Sequence, residues 1–377
     1  VNSAPIAPRL EAGSADGLEP PRIAVVGAGV AGAACAAGLL RAGFDVTVFD
    51  KSRAVGGRMA TRRAQWADLD GTPRSAEFDH GCPHFTALRP RFRAVVDRAE
   101  ALGCVTRWHQ HVYDTFPAPR AREVIVPTPD MPAFGRHLLS GVPLRLGHAV
   151  SGLERCSGGW LLHLGDGSAN GRTHGPFEHV LLAIPATPAA MLLRGHENEW
   201  ADALAAVRMS PCWTLMAVTD DVDWPWDTAE LERGPLARIA RNDRVPGRRA
   251  TNGLVPWAAH ATPGWSLAHL EDEPAQVAEL LRAALGKLLT GARPLQWHHI
   301  HAHRWRCARL AQRASGGFDC WWRADLGLGV CGDSFGEGSV EAAWCSGDEL
   351  ADAVAASFDA APPANVASAA ETADAAH

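Results

Sequence analysis

The stretch Ile23–Asp50, IAVVGAGVAGAACAAGLLRAGFDVTVFD, reads as one complete βαβ unit. Ile23 to Val26 is a short apolar run of strand character, and Gly27, Gly29 and Gly32 follow it at GxGxxG spacing. Ala31 to Ala42 reads as a helix of small residues and leucine that Gly43 stops, and Val46 and Val48 alternate in a second strand ending at Asp50. The three glycines serve different ends. Gly27 makes the tight turn, Gly29 lets backbone approach a pyrophosphate, and Gly32 packs helix on strand. The first helical N–H groups, at Val30, Ala31 and Gly32, have no partner within the helix and sit where its dipole favours an anion. Asp50, 18 residues after Gly32, is placed to accept from a ribose hydroxyl. The unit therefore predicts a dinucleotide site.

The rest of the composition narrows the class. A chain of 377 residues holds one large or two ordinary domains. With 36 basic and 42 acidic residues and no block of like charge, it shows neither a nucleic-acid footprint nor a polybasic membrane patch. The uncharged run Ile23–Leu40 carries glycines at turn and helix spacing, which predicts a βα unit rather than a membrane span. No basic-then-apolar signal opens the sequence as given. Nine cysteines without a CxxC pair predict reduced thiols and a cytoplasmic setting.

Along the chain, residues 1–20 and 359–377 read as a disordered lead and tail, rich in small residues and proline. Between them come a helix-like stretch from Pro90 to Leu102 and strand signals at Leu144–Val150, Trp160–Leu164, His179–Ile184 and Trp213–Val218. Further helices are predicted at Glu273–Leu289 and Val340–Ala356, and the last nucleotide-domain piece is expected to begin near His298.

Two more glycine-rich pieces bear on the ligand. Directly after Asp50 and Lys51 comes Gly56-Gly57-Arg58-Met59, in which glycines permit close approach and Arg58 supplies charge to a pyrophosphate. Near the C-terminus, Gly329–Glu341 reads as a strand ending at Gly332-Asp333, then a glycine loop, then a helix whose first N–H groups lie near Ser339 and Val340. Such a helix start stabilises negative charge on a reduced ring system.

The segments GGRMATRR (56–63), FDHGCPHFTA (78–87), AHRWRCA (302–308) and CGDSFGEGSVEAAWCSG (331–347) resemble the bacterial renalase-like flavoproteins of the amine-oxidase superfamily. The resemblance runs from about Pro21 to Phe358. It implies an α/β fold, with a Rossmann-type FAD-binding domain of the p-hydroxybenzoate-hydroxylase kind and a smaller, discontinuous α+β substrate domain. The FAD-binding domain is expected from residues 21–89, 141–190 and 296–358, and the substrate domain from 90–140 and 191–295. FAD is expected to be noncovalent. Its contacts are expected from Gly27, Gly29, Val30, Ala31, Gly32, Asp50, Lys51, Gly57, Arg58, Met59, His80, Gly81, Cys82, Val150, Ala183, Gly332, Asp333, Ser339 and Val340.

The reaction implied is hydride transfer from a 1,2- or 1,6-dihydro isomer of NAD(P)H to flavin N5, with O2 reduced to H2O2. Expected partners are thus a small-molecule substrate and O2. Such a transfer needs stacking and orientation more than acid–base help. His84, His303 and Trp305 are the residues expected to carry it, and either Arg304 or Trp305 faces the substrate. Cys82-Pro83-His84 departs from the family, where a small residue, Gln and an aromatic are typical, and the departure falls on the substrate face. A covalent thioether at Cys82 is the sharper reading of that cysteine and a free thiol the plainer one.

The alternating His299, His301 and His303 admit a metal site, but a strand of histidines without a partner carboxylate favours none. An amine oxidase on the same scaffold is the first alternative. It lacks an N5 lysine, since the lysines are Lys51 and Lys287, and it lacks paired tyrosines, since Tyr113 stands alone. A non-catalytic flavin-binding protein is the second.

Overall fold

The computed structural model describes residues 19–68, 70–113, 120–165, 171–249, 251, 253–289, 295–314 and 319–359. Nearly all of the expected lead and of the expected tail lie outside them. β1 (Arg22–Val26), α1 (Val30–Arg41) and β2 (Asp45–Asp50) form the opening unit as the sequence predicts. Ile23 and Val25 pack into one core and Ala24 and Val26 into another, the pattern of a parallel strand covered on both faces. A hairpin of β3 (Thr61–Ala67) and β4 (Pro73–Asp79) follows. Then come α2 (Pro90–Ala101), β5 (Val105–Tyr113), β6 (Arg120–Pro127) and the short α3 (Ala133–Leu138).

The strand expected over Leu144–Val150 is two elements. β7 (Leu144–Leu146) pairs with β2, whereas β8 (Val150–Cys156) begins an antiparallel meander with β9 (Gly159–Leu164) and β10 (Arg172–Phe177). Gly147 between them has φ +74, a left-handed conformation that ends the first strand. β11 (His179–Leu182) then returns to the parallel sheet, followed by α4 (Ala186–Leu193) and α5 (Asn198–Ala206).

β12 (Arg208–Asp220), β13 (Thr228–Glu230), β14 (Leu236–Arg241) and β15 (Leu254–Ala261) build most of a second sheet, with α6 (Pro263–Ala268) and α7 (Pro274–Leu289) beside it. The long β16 (Trp297–Gln312), the short β17 (Trp321–Arg323) and β18 (Leu328–Val330), and α8 (Val340–Asp359) complete the chain.

Two sheets position the site. The first runs β17-β18-β11-β1-β2-β7 and is parallel throughout except at β17–β18. The chain steps from β1 to β2 on one side and places β11 on the other, so the switch point of this sheet opens at the end of β1. The second sheet runs β16-β12-β15-β14-β13-β5-β6. β16 hydrogen-bonds to β12 along most of its length, so residues expected in the nucleotide domain from 296 onward belong first to this sheet. Alternation explains the difference. Ala302 and its neighbours on β12, Trp213, Leu215 and Ala217, bury against α7, and the intervening residues face the other way. On that other face Met216 and Val218 pack against Ala76 and Phe78 of the β3–β4 hairpin.

Candidate flavin site

At the end of β1, Gly27 and Gly32 pack as their spacing predicts. A Cβ on Gly32 would lie 1.9 Å from the Gly27 carbonyl oxygen, and one on Gly27 would lie 2.4 Å from the Ala183 oxygen. Ala183 donates its N–H to the Val26 carbonyl, which brings it to the glycine turn. A Cβ on Gly29, by contrast, would meet nothing within 4 Å, and no side chain caps the start of α1. The N–H groups of Val30, Ala31 and Gly32 thus begin a helix with no acidic residue in its first turn, at a point where backbone is open to approach.

Asp50 closes β2, and its Oδ2 accepts from the Ala28 N–H at 2.7 Å while Oδ1 accepts from Ser52. The adjacent Lys51 is exposed. Asp50 also accepts through its carbonyl from His148, which ties the loop before Val150 to the end of β2.

The GGR loop lies directly over this turn. Gly56 donates to the Ala28 carbonyl, and a Cβ on Gly57, where φ is +58, would lie 3.4 Å from the Gly29 Cα. Met59 is buried with Val30, Phe85 and Trp344. Arg58 makes a two-pronged pair with Asp333, at 2.8 Å from Nη1 and 2.5 Å from Nη2, and donates to the Ala308 carbonyl. Its charge, expected on a pyrophosphate, is therefore shared with Asp333, itself among the expected FAD contacts, and the pair joins the GGR loop to the C-terminal loop. Gly332 donates to Ser346 of α8, and Ser339 caps that helix by accepting from Ala342, with Val340 as its first residue. α8 lies on α1 so closely that a Cβ on Gly347 would sit 2.0 Å from the Ala31 oxygen.

The third wall comes from β4 and β16. Cys82 donates its N–H to the Arg58 carbonyl, and a Cβ on Gly81 would lie 2.0 Å from that same oxygen. The carbonyl of buried His80 accepts from Trp305 Nε1 at 2.8 Å and from Thr214 Oγ1 at 3.0 Å. The His80 ring stacks on Trp305 at 5.2 Å and meets His303 edge-on at 4.8 Å. His260 Nε2 lies 2.9 Å from the Gly81 carbonyl, and because a carbonyl only accepts, Nε2 carries the proton. The Cys82 thiol donates to the His84 carbonyl, so the Cys-Pro-His segment is folded back on itself next to the GGR loop. Trp305, not Arg304, faces this wall. Arg304 lies on the opposite face of β16, over the Trp213 ring and donating to the Leu270 carbonyl.

The imidazoles of this wall are neutral at ordinary pH. Burial, reinforced by the neighbouring His303, brings His80 down to about 3. Burial likewise brings His303 and His260 to about 4, with Arg62 and Arg238 respectively adding to it. Burial pushes the Cys82 thiol up, and the charges that act on it, Arg58, Arg238 and Arg309, are all positive. His299 stacks on Trp66 and Phe78, which gives one member of the histidine strand a packing role. Among the described residues no group of three or more His, Cys, Asp or Glu is arranged to hold a metal.

Sequence reasoning did not single out Thr214, His260 or Arg238. The signal for His260 was present: a lone histidine in the apolar strand VPWAAHA (255–261).

Residues 25–99 match the NAD(P)-binding Rossmann-like domain, and residues 119–355, well over half of the chain, match the flavin containing amine oxidoreductase family. The chain belongs to the flavin containing amine oxidoreductase family. It is an FAD-dependent oxidoreductase, and the open approach at Gly29, the uncapped α1 start and the closely packed GGR loop fit that cofactor.

Over 65 residues the chain is 43% identical to lysine-specific histone demethylase 1 homolog 1 of Arabidopsis thaliana, a stretch spanning 17% of this chain and 8% of that relative. A protoporphyrinogen oxidase candidate from Exiguobacterium sp. 255-15 shares the fold with a TM-score of 0.65 at 13% identity, covering 90% of this chain and all of that one. Reduced UDP-galactopyranose mutase superposes with a TM-score of 0.62 at 11% identity, covering 89% of this chain and 95% of the other. A triple mutant of putrescine oxidase gives 0.63 at 13% identity, covering 90% and 99%. No described helix is long and apolar enough to cross a membrane.

Proposed function

We propose that this FAD oxidoreductase is of renalase type, oxidising a 1,2- or 1,6-dihydro isomer of NAD(P)H and reducing O2 to H2O2. The observation that carries the reading is the neutral aromatic wall of His80, His303 and Trp305 beside Gly81. Removing a hydride from a dihydropyridine leaves an aromatic cation, and indole and uncharged imidazole faces accept such a ring without charge repulsion. FAD held at the glycine turn and the GGR loop would supply the two-electron acceptor for that hydride, with O2 as the final oxidant.

The chain's own residues bind and orient. Trp305 is fixed by its N–H to the His80 carbonyl, and Thr214 and His260 hold the same loop from the sheet. The seven-stranded sheet serves as the substrate half and the parallel sheet as the cofactor half. The flavin contacts are those whose backbones gather at the glycine turn, the GGR loop, the His80–Cys82 segment and the start of α8.

An amine-oxidising site is less well supported. Lys287 rides on α7, on the far side of the seven-stranded sheet, and Lys51 follows the exposed end of β2. The test is aerobic: supply equilibrated NADH containing its dihydro isomers and follow H2O2 and NAD+. One peroxide formed for each isomer consumed is expected; peroxide formed only with amines overturns the proposal.

A further inference from the structure

A buried ion pair anchors the hairpin whose far end leads into the aromatic wall. Asp79 closes β4 directly before His80, and Arg248 lies in the loop between β14 and β15. Arg248 Nε donates to Asp79 Oδ2 at 2.9 Å, and Nη2 lies 2.7 Å from the same oxygen. The two side chains are 1% and 4% exposed. The other carboxylate oxygen is also taken. Thr61, the cross-strand partner of Asp79 on β3, donates its hydroxyl to Oδ1 at 2.6 Å and accepts from the Met131 N–H at 2.9 Å. The Asp79 N–H donates to Asn242 Oδ1 at 2.9 Å. Arg248 Nη1 donates to the carbonyls of Pro127, Pro129 and Pro246. One guanidinium thus joins the hairpin, the end of β6 with the segment after it, and the loop after β14.

Stability alone does not account for such a pair. Taking both charges out of water costs about as much as their attraction returns, and apolar groups of similar volume in their place are often no less stable. What the pair adds is a fixed position, because the planar fork holds its acceptors in one geometry. The residues it fixes lie one step on. The His80 carbonyl receives Trp305 and Thr214, the Gly81 carbonyl receives His260, and the Cys82 N–H reaches the Arg58 carbonyl of the GGR loop. Thr61 stands two residues past Met59 of that loop. Both ends of the hairpin, one leading from the GGR loop and one leading into the wall, therefore meet at the same carboxylate.

We propose that Arg248 is a positioning residue for flavin reduction: acting through Asp79, it sets the His80–Cys82 segment against the GGR loop and so aligns the substrate ring with the flavin. The inference rests on the dihydronicotinamide reading for its substrate, and it adds a residue outside the wall. Hydride transfer is sensitive to such alignment, a displacement of about 1 Å costing on the order of 100-fold in rate.

The test compares wild type with Arg248→Lys and with the double variant Asp79→Asn plus Arg248→Met, which removes both charges so that neither is left buried alone. Each is loaded with FAD and mixed anaerobically with equilibrated NADH containing the 1,2- and 1,6-dihydro isomers. Rates are read per bound flavin, so lost folding does not enter them. The double variant should bind FAD within about threefold of wild type while its limiting rate of flavin reduction falls roughly 10- to 100-fold. Its half-saturating isomer concentration should move by less than about threefold. Arg248→Lys, which keeps the charge without the fork, should fall between the two. A wild-type limiting rate in the double variant makes the pair merely structural and overturns the inference, as does a loss confined to the half-saturating concentration. Should the double variant hold no FAD, Arg248→Lys decides by the same two readings, and if it too holds none the inference falls.

A second measurement separates this role from the functional reading: the visible circular dichroism of the bound flavin, which reports the groups packed around the ring system and needs no substrate. If neither isomer bleaches the wild-type flavin, the renalase-type reading fails by itself. The positioning role then stands if the double variant alters the wild-type band, and it falls if the band is unchanged.

Discussion

Gly29 and Gly32 have the same side chain and opposite reasons for it. Gly32 is needed by the protein itself, because a methyl there would collide with the Gly27 carbonyl, whereas Gly29 faces open space. Gly32→Ala is therefore expected to lower the melting temperature of the apoprotein. Gly29→Ala should leave that temperature within about a degree and weaken FAD roughly tenfold or more, as read by flavin fluorescence on titration. Equal apoprotein stabilities for the two variants would contradict this assignment. At Trp305 the indole N–H fixes the wall. Trp305→Phe keeps an aromatic face but leaves the His80 carbonyl with Thr214 alone, at a cost of about 1 kcal/mol in urea unfolding and with slower flavin reduction.

Among the elements, the histidines brought together from the end of β4, from β15 and from β16 set the pH response. His80, His260 and His303 titrate lower in the folded protein, near 3 to 4, than the ordinary histidine value of about 6.5. Between those limits the unfolded chain binds more protons than the folded one. Stability contributed by the neutral rings is thus complete above about pH 6.5 and is lost as pH falls toward 4. His260→Gln should flatten the acid side of a plot of urea midpoint against pH; an unchanged slope would show that His260 titrates normally.

Helix packing gives another check. Gly347 of α8 rests on the Ala31 carbonyl, so Gly347→Val should destabilise the protein by at least about 1–3 kcal/mol and reduce FAD retention together, because α1 and α8 both start at the proposed cofactor site. Most elements were legible locally: Pro90–Ala101, Pro274–Leu289 and Val340–Asp359 end within a few residues of where periodicity and proline put them. The turn at Gly147 was not, because a glycine inside an apolar run does not by itself declare a left-handed φ.

For the molecule as a whole, the turns around the parallel sheet were readable because they are written in contiguous backbone. GxGxxG, GGR and the final Gly-Asp loop each set their close contacts with a few adjacent residues. The seven-stranded sheet is assembled by long-range register, and no local pattern says that Thr214, His260 and Arg238 line up with His303. For the same reason the membership of β16 in the second sheet was missed: its alternation fixes its two faces but not its neighbour. The choice between Arg304 and Trp305 likewise needed the neighbouring strand, which sends Trp305 to the His80 carbonyl and Arg304 to Leu270.

The central claim is that this assembly presents a neutral aromatic wall to a dihydropyridine. Its most direct test is anaerobic stopped-flow of the holoenzyme against equilibrated NADH containing the 1,2- and 1,6-dihydro isomers, and separately against a panel of primary and secondary amines. Rapid, substoichiometric flavin bleaching by the isomers, restored on admitting O2, with no bleaching by the amines, is the predicted result. A flavin that stays oxidised with every isomer but is bleached by an amine would contradict the account.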